Sequence, residues 1–279
     1  MLRDSVPKIS CLLATCGRVK HVIEAIRCYL AQTYPNTELV VVSQGGSAEN
    51  CEINRFIEAS HRRDIRFYVA PRRHSLGAMR NLSCELASGE ILCQWDDDDL
   101  YSHTRISDQY KSLSSHSKHS ASAFSKFLKY FKNSGEMYWC DWIGEGVDSS
   151  RFLCGSVMFP KKIFHRYRSL LYPESGDQCH VEEDLNVLCK LLDCGVVANT
   201  GGGHQYVYVY HGDNTYPLKH HQLTLLTNSG KHVATADELL MAQPLLCHTL
   251  AELPLEAPVE VRSLDEVAFT FGTQSPMVK

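Results

Sequence analysis

Four consecutive acids, Asp96–Asp99, follow a short apolar run that begins after Gly89. Adjacent carboxylates repel one another, so such a run beside buried residues needs either a cation or exposure to solvent. A short apolar run bounded by glycine is typical of a buried strand in a mostly parallel sheet, and ligands bind outside the carboxyl ends of such strands. Oxygen ligands there favour Mg²⁺ or Mn²⁺, with substrate phosphates sharing the metal's coordination. A solvated acidic loop is the competing interpretation.

The chain before this acidic run alternates between strand and helix. Apolar runs predict strands at Ile9–Ala14, Glu38–Val42 and Ile65–Val69, and helical spacing of apolar residues predicts a helix after each of the first two. Leu76–Ala87 is predicted to form the helix that leads into the acidic strand. Four alternations of strand and helix are typical of a doubly wound parallel α/β sheet.

The pattern changes after the acidic run. Residues 112–122 are polar and of low complexity, which predicts a surface loop. Phe124–Phe131 and Met137–Trp142 favour an irregular antiparallel pair, and residues 182–194 have the apolar spacing of a helix. From about residue 230 the chain carries scattered prolines and no clear repeat, so we expect an appended helix and a loosely packed tail.

Composition excludes several classes of protein. The net charge of −4 offers no broad cationic field for nucleic acid. No apolar run approaches the roughly 20 residues of a membrane span, and the charged start does not resemble a secretory signal. Twelve cysteines without a C-x-x-C pair indicate reduced thiols. We therefore expect a cytoplasmic protein without a transmembrane segment, which leaves peripheral association with a membrane open.

Three ordered motifs resemble those of the GT-A nucleotide-sugar glycosyltransferases, specifically the large inverting family (glycosyltransferase family 2-like) that includes polysaccharide and glycolipid synthases. They are SLGAMRNLSCELASGEILCQWDDDDLY, VEEDLNVLCKLLDCG and YVYVYHGDNT. The resemblance covers roughly residues 7–215. It implies a GT-A (Rossmann-like) fold, with a mostly parallel sheet, an antiparallel acceptor-side part and a C-terminal extension.

The resemblance also divides the chain. We expect a glycosyltransferase domain at residues 1–228, with a nucleotide-sugar half at about 7–111 and an acceptor half at about 123–228. Residues 229–279 form the C-terminal extension in this division.

The resemblance implies a metal-binding role within the acidic run. Asp98 would bind the divalent ion, and Asp96 would face the ribose or the metal. With four acids in a row the register stays open, and Asp97 or Asp99 also qualifies. His211 would complete the metal site or touch phosphate, although a lone histidine is more often structural.

The Glu-Asp helix would supply the general base. In the family this is the aspartate of the pair, which corresponds to Asp184, while Glu183 would bind the acceptor or orient the base. Acids at a helix start also simply favour the helix dipole, which is the alternative. For Arg80 the choice lies between a nucleotide-sugar or phosphate contact and a surface salt bridge.

The nucleotide would lie at the ends of the first two strands. Thr15, Gly17 and Arg18 correspond to the positions where the family holds the base and ribose. The second strand ends differently from the family, because Ser43-Gln44 replaces an acid that usually reads the base. The Gln44 amide both donates and accepts, which suits the uracil edge, with guanine as runner-up. Trp142 would contact the acceptor, with a core position as the alternative.

The prediction is a metal-dependent, inverting hexosyltransferase that uses Mn²⁺ or Mg²⁺. Its donor would be a nucleoside diphosphate sugar, with uridine as the expected base, and its acceptor a hydroxyl of a saccharide, a lipid-linked molecule or a protein. A nucleotidyltransferase and a non-catalytic sugar-nucleotide-binding module are the alternatives. A nucleotidyltransferase would need a basic glycine-rich loop after the first strand, where TCGRVK is a poor match. A dehydrogenase is disfavoured because no G-x-G-x-x-G follows that strand.

Overall fold

A computed structural model describes most of the chain. The described residues are 6–70, 74–142, 152–167, 171–175, 183–225, 232–256 and 258–272. The helices are α1 (Val19–Leu30), α2 (Ser47–Ala59), α3 (Leu76–Leu86), α4 (Arg105–Ser114), α5 (Lys161–Arg166), α6 (Glu183–Cys194), α7 (Leu218–Leu223) and α8 (Ala236–Ala251). The strands are β1 (Ile9–Thr15), β2 (Thr37–Ser43), β3 (Ile65–Val69), β4 (Ile91–Gln94), β5 (Leu100–Tyr101), β6 (His119–Ala123), β7 (Lys126–Phe131), β8 (Glu136–Asp141), β9 (Met158–Pro160), β10 (Val196–Asn199), β11 (Tyr206–Tyr210), β12 (His232–Val233), β13 (Val259–Arg262) and β14 (Val267–Phe271).

The described strands form two seven-stranded sheets. The first has the order β10-β6-β9-β4-β1-β2-β3, and β9 is its antiparallel member. Strands β1, β2 and β4 are almost entirely buried, as expected for parallel strands covered by helices on both faces. The predicted α/β class and the strand–helix alternation of the first hundred residues are confirmed.

The second sheet has the order β14-β13-β8-β7-β11-β5, with β12 beside β8. Strands β7 and β8 pair in antiparallel register, which confirms the predicted hairpin. Because β4 belongs to the first sheet and β5 to the second, the acidic run between them connects the two sheets. The run therefore lies at the carboxyl end of a central strand and faces the space between the sheets.

The prediction of a surface loop at residues 112–122 holds only for residues 115–118, which are exposed between α4 and β6. Residues from 119 onward form β6, which lies inside the first sheet with its last four residues buried. Serine can be buried here because its hydroxyl finds a partner: Ser120 Oγ donates to the Leu191 carbonyl at 2.7 Å, and Ser122 Oγ to the Gln109 carbonyl at 3.1 Å. The serine and alanine side chains of β6 give no run of large apolar residues, so the sequence pattern did not predict a buried strand here.

The end of the chain is also more ordered than expected. Helix α8 confirms the appended helix, but the tail continues into β13 and β14 instead of packing loosely. Val259 and Val261 of β13 are fully buried, and β13 pairs with β8 in parallel. The expected domain boundary at residue 228, like residue 182 at the start of the predicted Glu-Asp helix, lies outside the described residues. Within the described residues, no helix has the length and apolar character needed to cross a membrane.

Candidate active site

A cleft of about 420 Å³ opens at the end of β4, between the two sheets. Helices α3, α6 and α7 contribute to its walls, together with β7 and β11. Among the described side chains that line it, six are acids and three are lysine or arginine. This excess of carboxylates favours a ligand that brings positive charge.

The ends of β1 and β2 lie beside the acidic run, where Ala14 and Arg18 line the cleft, whereas the predicted residues Thr15, Gly17 and Gln44 are not among its lining residues. The Gln44 N–H donates to the Thr15 carbonyl at 2.9 Å. Gly17 has φ +85°, and a Cβ on it would lie 2.8 Å from the Gly45 Cα, so both the backbone conformation and the close approach require glycine. The two loops are thus packed against each other beside the acidic run.

The Gln44 amide is engaged in a way that the sequence did not reveal. Its Nε2 donates to the His74 carbonyl at 3.2 Å, and its Oε1 accepts from the His74 N–H at 2.6 Å. Both functions that we expected to face a base therefore hold a backbone segment of the neighbouring loop. Direct reading of a base by Gln44 stays a prediction, and this geometry favours an indirect role.

The four acids alternate in exposure. The side chains of Asp96 and Asp98 are 23% and 17% exposed, whereas Asp97 and Asp99 are each only 2% exposed. Asp97 and Asp98 form a turn between β4 and β5, so the alternation reflects the partners of each side chain and not an extended strand. Asp96 and Asp98 are consequently the members of the run best able to contact a ligand.

Asp98 lies between two positively polarised groups. Arg18 Nη1 donates to Asp98 Oδ2 at 2.7 Å, and the same oxygen is 3.2 Å from His211 Nε2. Arg18 also binds Asp97, with its Nε 3.2 Å from Oδ2 and its Nη2 on Oδ1. His211 stacks on His21 with ring centroids 4.2 Å apart. The structure thus brings together four predicted site residues: Arg18, Asp97, Asp98 and His211.

Asp96 is held by a second arginine. Arg80 Nη2 is 3.1 Å from Asp96 Oδ1 and 3.1 Å from Glu183 Oε1. Gln94 Nε2 donates to Asp96 Oδ1 at 3.2 Å, and Gln94 Oε1 accepts from the Tyr172 hydroxyl at 3.0 Å. Arg80 therefore makes buried ion pairs, not a surface salt bridge, and it links the acidic run to the first turn of α6.

Both carboxylate oxygens of Asp99 accept hydrogen bonds from β11. Its Oδ2 accepts from the Tyr206 hydroxyl at 2.6 Å, and its Oδ1 accepts from the Val209 N–H at 2.9 Å. Both partners belong to β11. Asp99 therefore fastens the acidic run to the second sheet, which leaves it poorly placed to bind a ligand.

Burial and the partners of each carboxylate separate the pKa values of these acids. Burial raises the pKa of Asp96 to about 7, with Arg80 opposing this and Asp98 adding to it. Burial likewise raises the pKa of Asp97 to about 6, with a further contribution from Asp98. Burial alone would raise the pKa of Asp98 as well, but the hydrogen bond from His211 and the charge of Arg18 outweigh it and lower that pKa. Asp98 is the acid of the three most readily kept as a carboxylate.

Asp184 and Trp142 both line the cleft, and their roles as base and acceptor contact stay predictions. Asp184 lies in the first turn of α6, partly exposed, with its Oδ1 accepting from the Leu185 N–H at 2.8 Å. Trp142 follows β8, and its ring packs edge-on against Phe127 with centroids 4.8 Å apart. Asp184 is adjacent in sequence to Glu183, so the Arg80 contact fixes the turn that carries it.

A divalent metal fits part of this arrangement. The 3.2 Å between Asp98 Oδ2 and His211 Nε2 is close to the roughly 3 Å between neighbouring ligands of an octahedral ion with bonds of about 2.1 Å. No group of three or more histidine, cysteine or acidic side chains in the described ranges is arranged to hold a metal by itself. The donors present suit an ion that takes its remaining ligands from a diphosphate and water.

Some residues that line the cleft were not singled out from the sequence. Lys129 is buried, donates to Thr224 Oγ1, and lies 5.3 Å from the centre of the Tyr208 ring. Gly155 precedes β9 and lies directly against Asp96. No local motif marks either residue, because both reach the cleft only through the pairing of distant strands.

The paired sheets have the fold of the GT-A class. The structure of the mannosyltransferase PcManGT from Pyrobaculum calidifontis, solved with GDP-Man and Mn²⁺, has a TM-score of 0.57 to this chain. That match is 16% identical and covers 76% of this chain and 59% of PcManGT. S. aureus TarS 1-349 in complex with UDP-GlcNAc has a TM-score of 0.52 at 13% identity, covering 89% of this chain and 68% of TarS 1-349.

The sequence identifies the family. The family model described as glycosyl transferase family 2 matches residues 10–180, more than half of the chain, and the chain belongs to this family. An uncharacterized glycosyltransferase of Rickettsia bellii (strain RML369-C) is 28% identical over 111 residues, which are 40% of this chain and 15% of the relative. One from Haemophilus influenzae (strain ATCC 51907 / DSM 11121 / KW20 / Rd) is 26% identical over 106 residues, or 38% and 42% of the two lengths. The chain therefore matches less than half the length of these relatives.

Proposed function

We propose that this protein transfers a hexosyl group from a nucleoside diphosphate sugar to an acceptor hydroxyl, with inversion at the anomeric carbon. One observation carries the proposal: Asp96, Asp98 and Asp184 line a single cleft at the carboxyl end of a central strand. Family membership supports the reaction class. Inverting transfer needs one base on the acceptor and neutralisation of the departing diphosphate, and this cleft offers groups for both tasks.

Asp98 and His211 would hold Mn²⁺ or Mg²⁺. When bound, the ion would neutralise charge that develops on the diphosphate leaving group. Arg18 and Arg80 frame the same carboxylates, so they stand where they can also contact phosphate oxygens. The loops that carry Thr15 and Gly17 would hold the base and ribose.

Asp184 would accept the proton of the attacking acceptor hydroxyl. Its position one residue after Glu183 supports this, because the contact from Arg80 to Glu183 ties the first turn of α6 to Asp96. A base must lie within hydrogen-bond reach of the proton it removes, so this connection would keep the base and the donor in register. Trp142 would contact the acceptor on the far side of the cleft.

We propose uridine as the donor base, with guanosine as the runner-up. PcManGT is described with GDP-Man and TarS with UDP-GlcNAc, so the fold accommodates either base. We assign Gln44 to the support of the base site, since its amide holds the His74 backbone.

The decisive experiment measures nucleoside diphosphate release from a panel of sugar donors, with Mn²⁺ and candidate acceptors, for the wild type and Asp184→Asn. We expect donor binding to persist in the variant, while transfer falls on the order of 10²- to 10⁴-fold, the usual scale for a general base. The anomeric configuration of the product, read by NMR, tests inversion.

Asp193→Asn is the matched control, because Asp193 lies on the same helix, exposed, at the end remote from the cleft. Asp193→Asn should retain wild-type turnover. Transfer at the wild-type rate by Asp184→Asn would remove Asp184 from the reaction. Donor binding without any transfer by the wild type would favour the non-catalytic module.

A further inference from the structure

The guanidinium of Arg18 occupies the position next to Asp98 that a metal ion would need. Its Nη1 donates to Asp98 Oδ2 at 2.7 Å, and this is the oxygen that lies 3.2 Å from His211 Nε2. A bound Mg²⁺ would sit about 2.1 Å from such an oxygen. A carboxylate oxygen offers about two lone-pair directions, and Arg18 and His211 already face this one.

We propose that Arg18 acts as an internal counter-cation, which holds Asp98 until a nucleoside diphosphate draws it away and a divalent metal takes its place. The inference rests on the proposed function, because it assumes that the cleft binds a diphosphate donor with a metal. It assigns Arg18 a task beyond contacting the nucleotide, namely coupling metal binding to donor binding.

The location of Arg18 suits a side chain that moves between two anions. It follows Gly17, whose backbone is fixed by the close approach to Gly45, so the loop is anchored and the exchange requires movement of the Arg18 side chain alone, away from Asp97 and Asp98. The Arg18 side chain is 34% exposed, in contrast to the buried Asp97 that it binds. The planar guanidinium matches a phosphate in the same two-pronged way as it matches a carboxylate.

The balance of charge explains why the exchange is needed. With Arg18 withdrawn, Asp97 and Asp98 would be adjacent carboxylates without a cation, so Arg18 stays until another positive charge arrives. A metal that binds alone has to displace Arg18 and leaves the guanidinium without a new anionic partner. A metal that arrives with a diphosphate does not, because the phosphate supplies a new partner for Arg18. Nucleotide should therefore tighten metal binding, and metal should tighten nucleotide binding by the same factor.

The test is a titration of Mn²⁺ followed by electron paramagnetic resonance of the free ion, with the metal alone and with saturating UDP. For Arg18→Gln we expect Mn²⁺ alone to bind about tenfold more tightly than in the wild type, the low end of what one charge-assisted hydrogen bond is worth. UDP should then add much less than it adds in the wild type. Arg18→Lys keeps the charge without the fork and should give an intermediate affinity, which keeps the test valid if Arg18→Gln folds poorly.

Lys132→Gln is the control for a general loss of positive charge. The Lys132 ammonium lies 3.5 Å from Glu24 and from Glu256, and its charge reaches His21, the ring stacked on His211. We expect its affinity for Mn²⁺ alone to stay within about twofold of the wild type, since Lys132 is paired with Glu24 and Glu256, neither of which belongs to the acidic run.

Unchanged or weaker binding of Mn²⁺ alone by Arg18→Gln would overturn the inference, as would an equal gain in Lys132→Gln. Either result leaves the proposed function intact, provided that the wild type binds Mn²⁺ with UDP. Absence of Mn²⁺ binding by the wild type even with UDP would overturn both the metal-dependent function and this role of Arg18.

Discussion

Gly155 tests how closely the position of Asp96 is controlled. A Cβ at residue 155 would lie 2.4 Å from Asp96 Oδ2, whereas ordinary van der Waals contact begins near 3.4 Å. Gly155→Ala therefore demands a displacement of about 1 Å. The carboxylate cannot move freely, because its Oδ1 is held by Arg80 at 3.1 Å and by Gln94 at 3.2 Å.

A misplacement of 1 Å in a catalytic site can cost on the order of 10²-fold in rate. We expect Gly155→Ala to lower kcat/KM for sugar transfer by roughly 10- to 100-fold, with most of the effect in donor binding if Asp96 contacts the ribose. Steady-state kinetics and calorimetry with UDP and Mn²⁺ separate the two contributions. Thermal unfolding of the variant checks that the fold persists.

Gly201→Ala is the matched control, because a Cβ at residue 201 meets no atom within 4 Å. It should behave as the wild type in every assay. Wild-type kcat/KM in Gly155→Ala would show that Asp96 either moves without consequence or has no part in the reaction. A loss of the same size in Gly201→Ala would show that the effect is not specific to the contact with Asp96.

Three further predictions concern single side chains. Asp98→Asn should abolish Mn²⁺-dependent nucleotide binding in calorimetry while the circular dichroism spectrum stays unchanged, and retained affinity would remove Asp98 from the metal site. Gln44→Ala should weaken uridine, guanosine, thymidine and cytidine diphosphates by a similar factor in competition binding, because its amide holds the His74 backbone; a changed ranking would instead mean that Gln44 reads the base. Burial alone would raise the pKa of Glu38, but hydrogen bonds from Ser10, Ser88 and Lys8 outweigh it and lower the pKa from 4.5 to about 2. That shift stabilises the fold by about 3 kcal/mol above pH 4.5, and the contribution is lost as the pH falls towards 2. Urea unfolding should accordingly show a large deficit for Glu38→Gln at pH 7 and a much smaller one at pH 3.

The first part of the fold could be predicted from the sequence because its central strands are covered on both faces. Such strands need continuous apolar, β-branched runs, and the predicted second strand, Glu38–Val42, lies within β2 and is one residue shorter at each end. The antiparallel β7–β8 hairpin was readable for a related reason, since its two strands are local and rich in aromatic residues.

Strands whose burial depends on residues distant in the chain could not be predicted from the sequence. Strand β6 is built from serine and alanine, and its burial depends on hydroxyl bonds to Leu191 and Gln109. Strand β13 pairs with β8 across more than one hundred residues of chain, and four residues of alternating pattern are too short to predict a strand against the scattered prolines around them.

For the site, the sequence shows which residue types are present but not which residues each of them contacts. The four acids predicted a cation site only together with the motifs around them, because a bare acidic run equally suits a solvated loop. Their individual environments depend on residues far along the chain: Arg18, 79 positions before Asp97, and Tyr206, 107 positions after Asp99. No local pattern predicts these contacts, so the sequence leaves the register of the metal ligand within the run open.

A metal site of the proposed kind needs only two acids, yet the run has four, and the connection between the sheets accounts for the excess. Asp96 and Asp98 face the cleft, while Asp97 and Asp99 are buried and bind Arg18 and Tyr206. Asp97 thus anchors the run to the loop after β1, and Asp99 anchors it to β11, which leads directly to His211. The two buried acids would therefore set the distance between Asp98 and His211, a task that an apolar residue at either position would not perform.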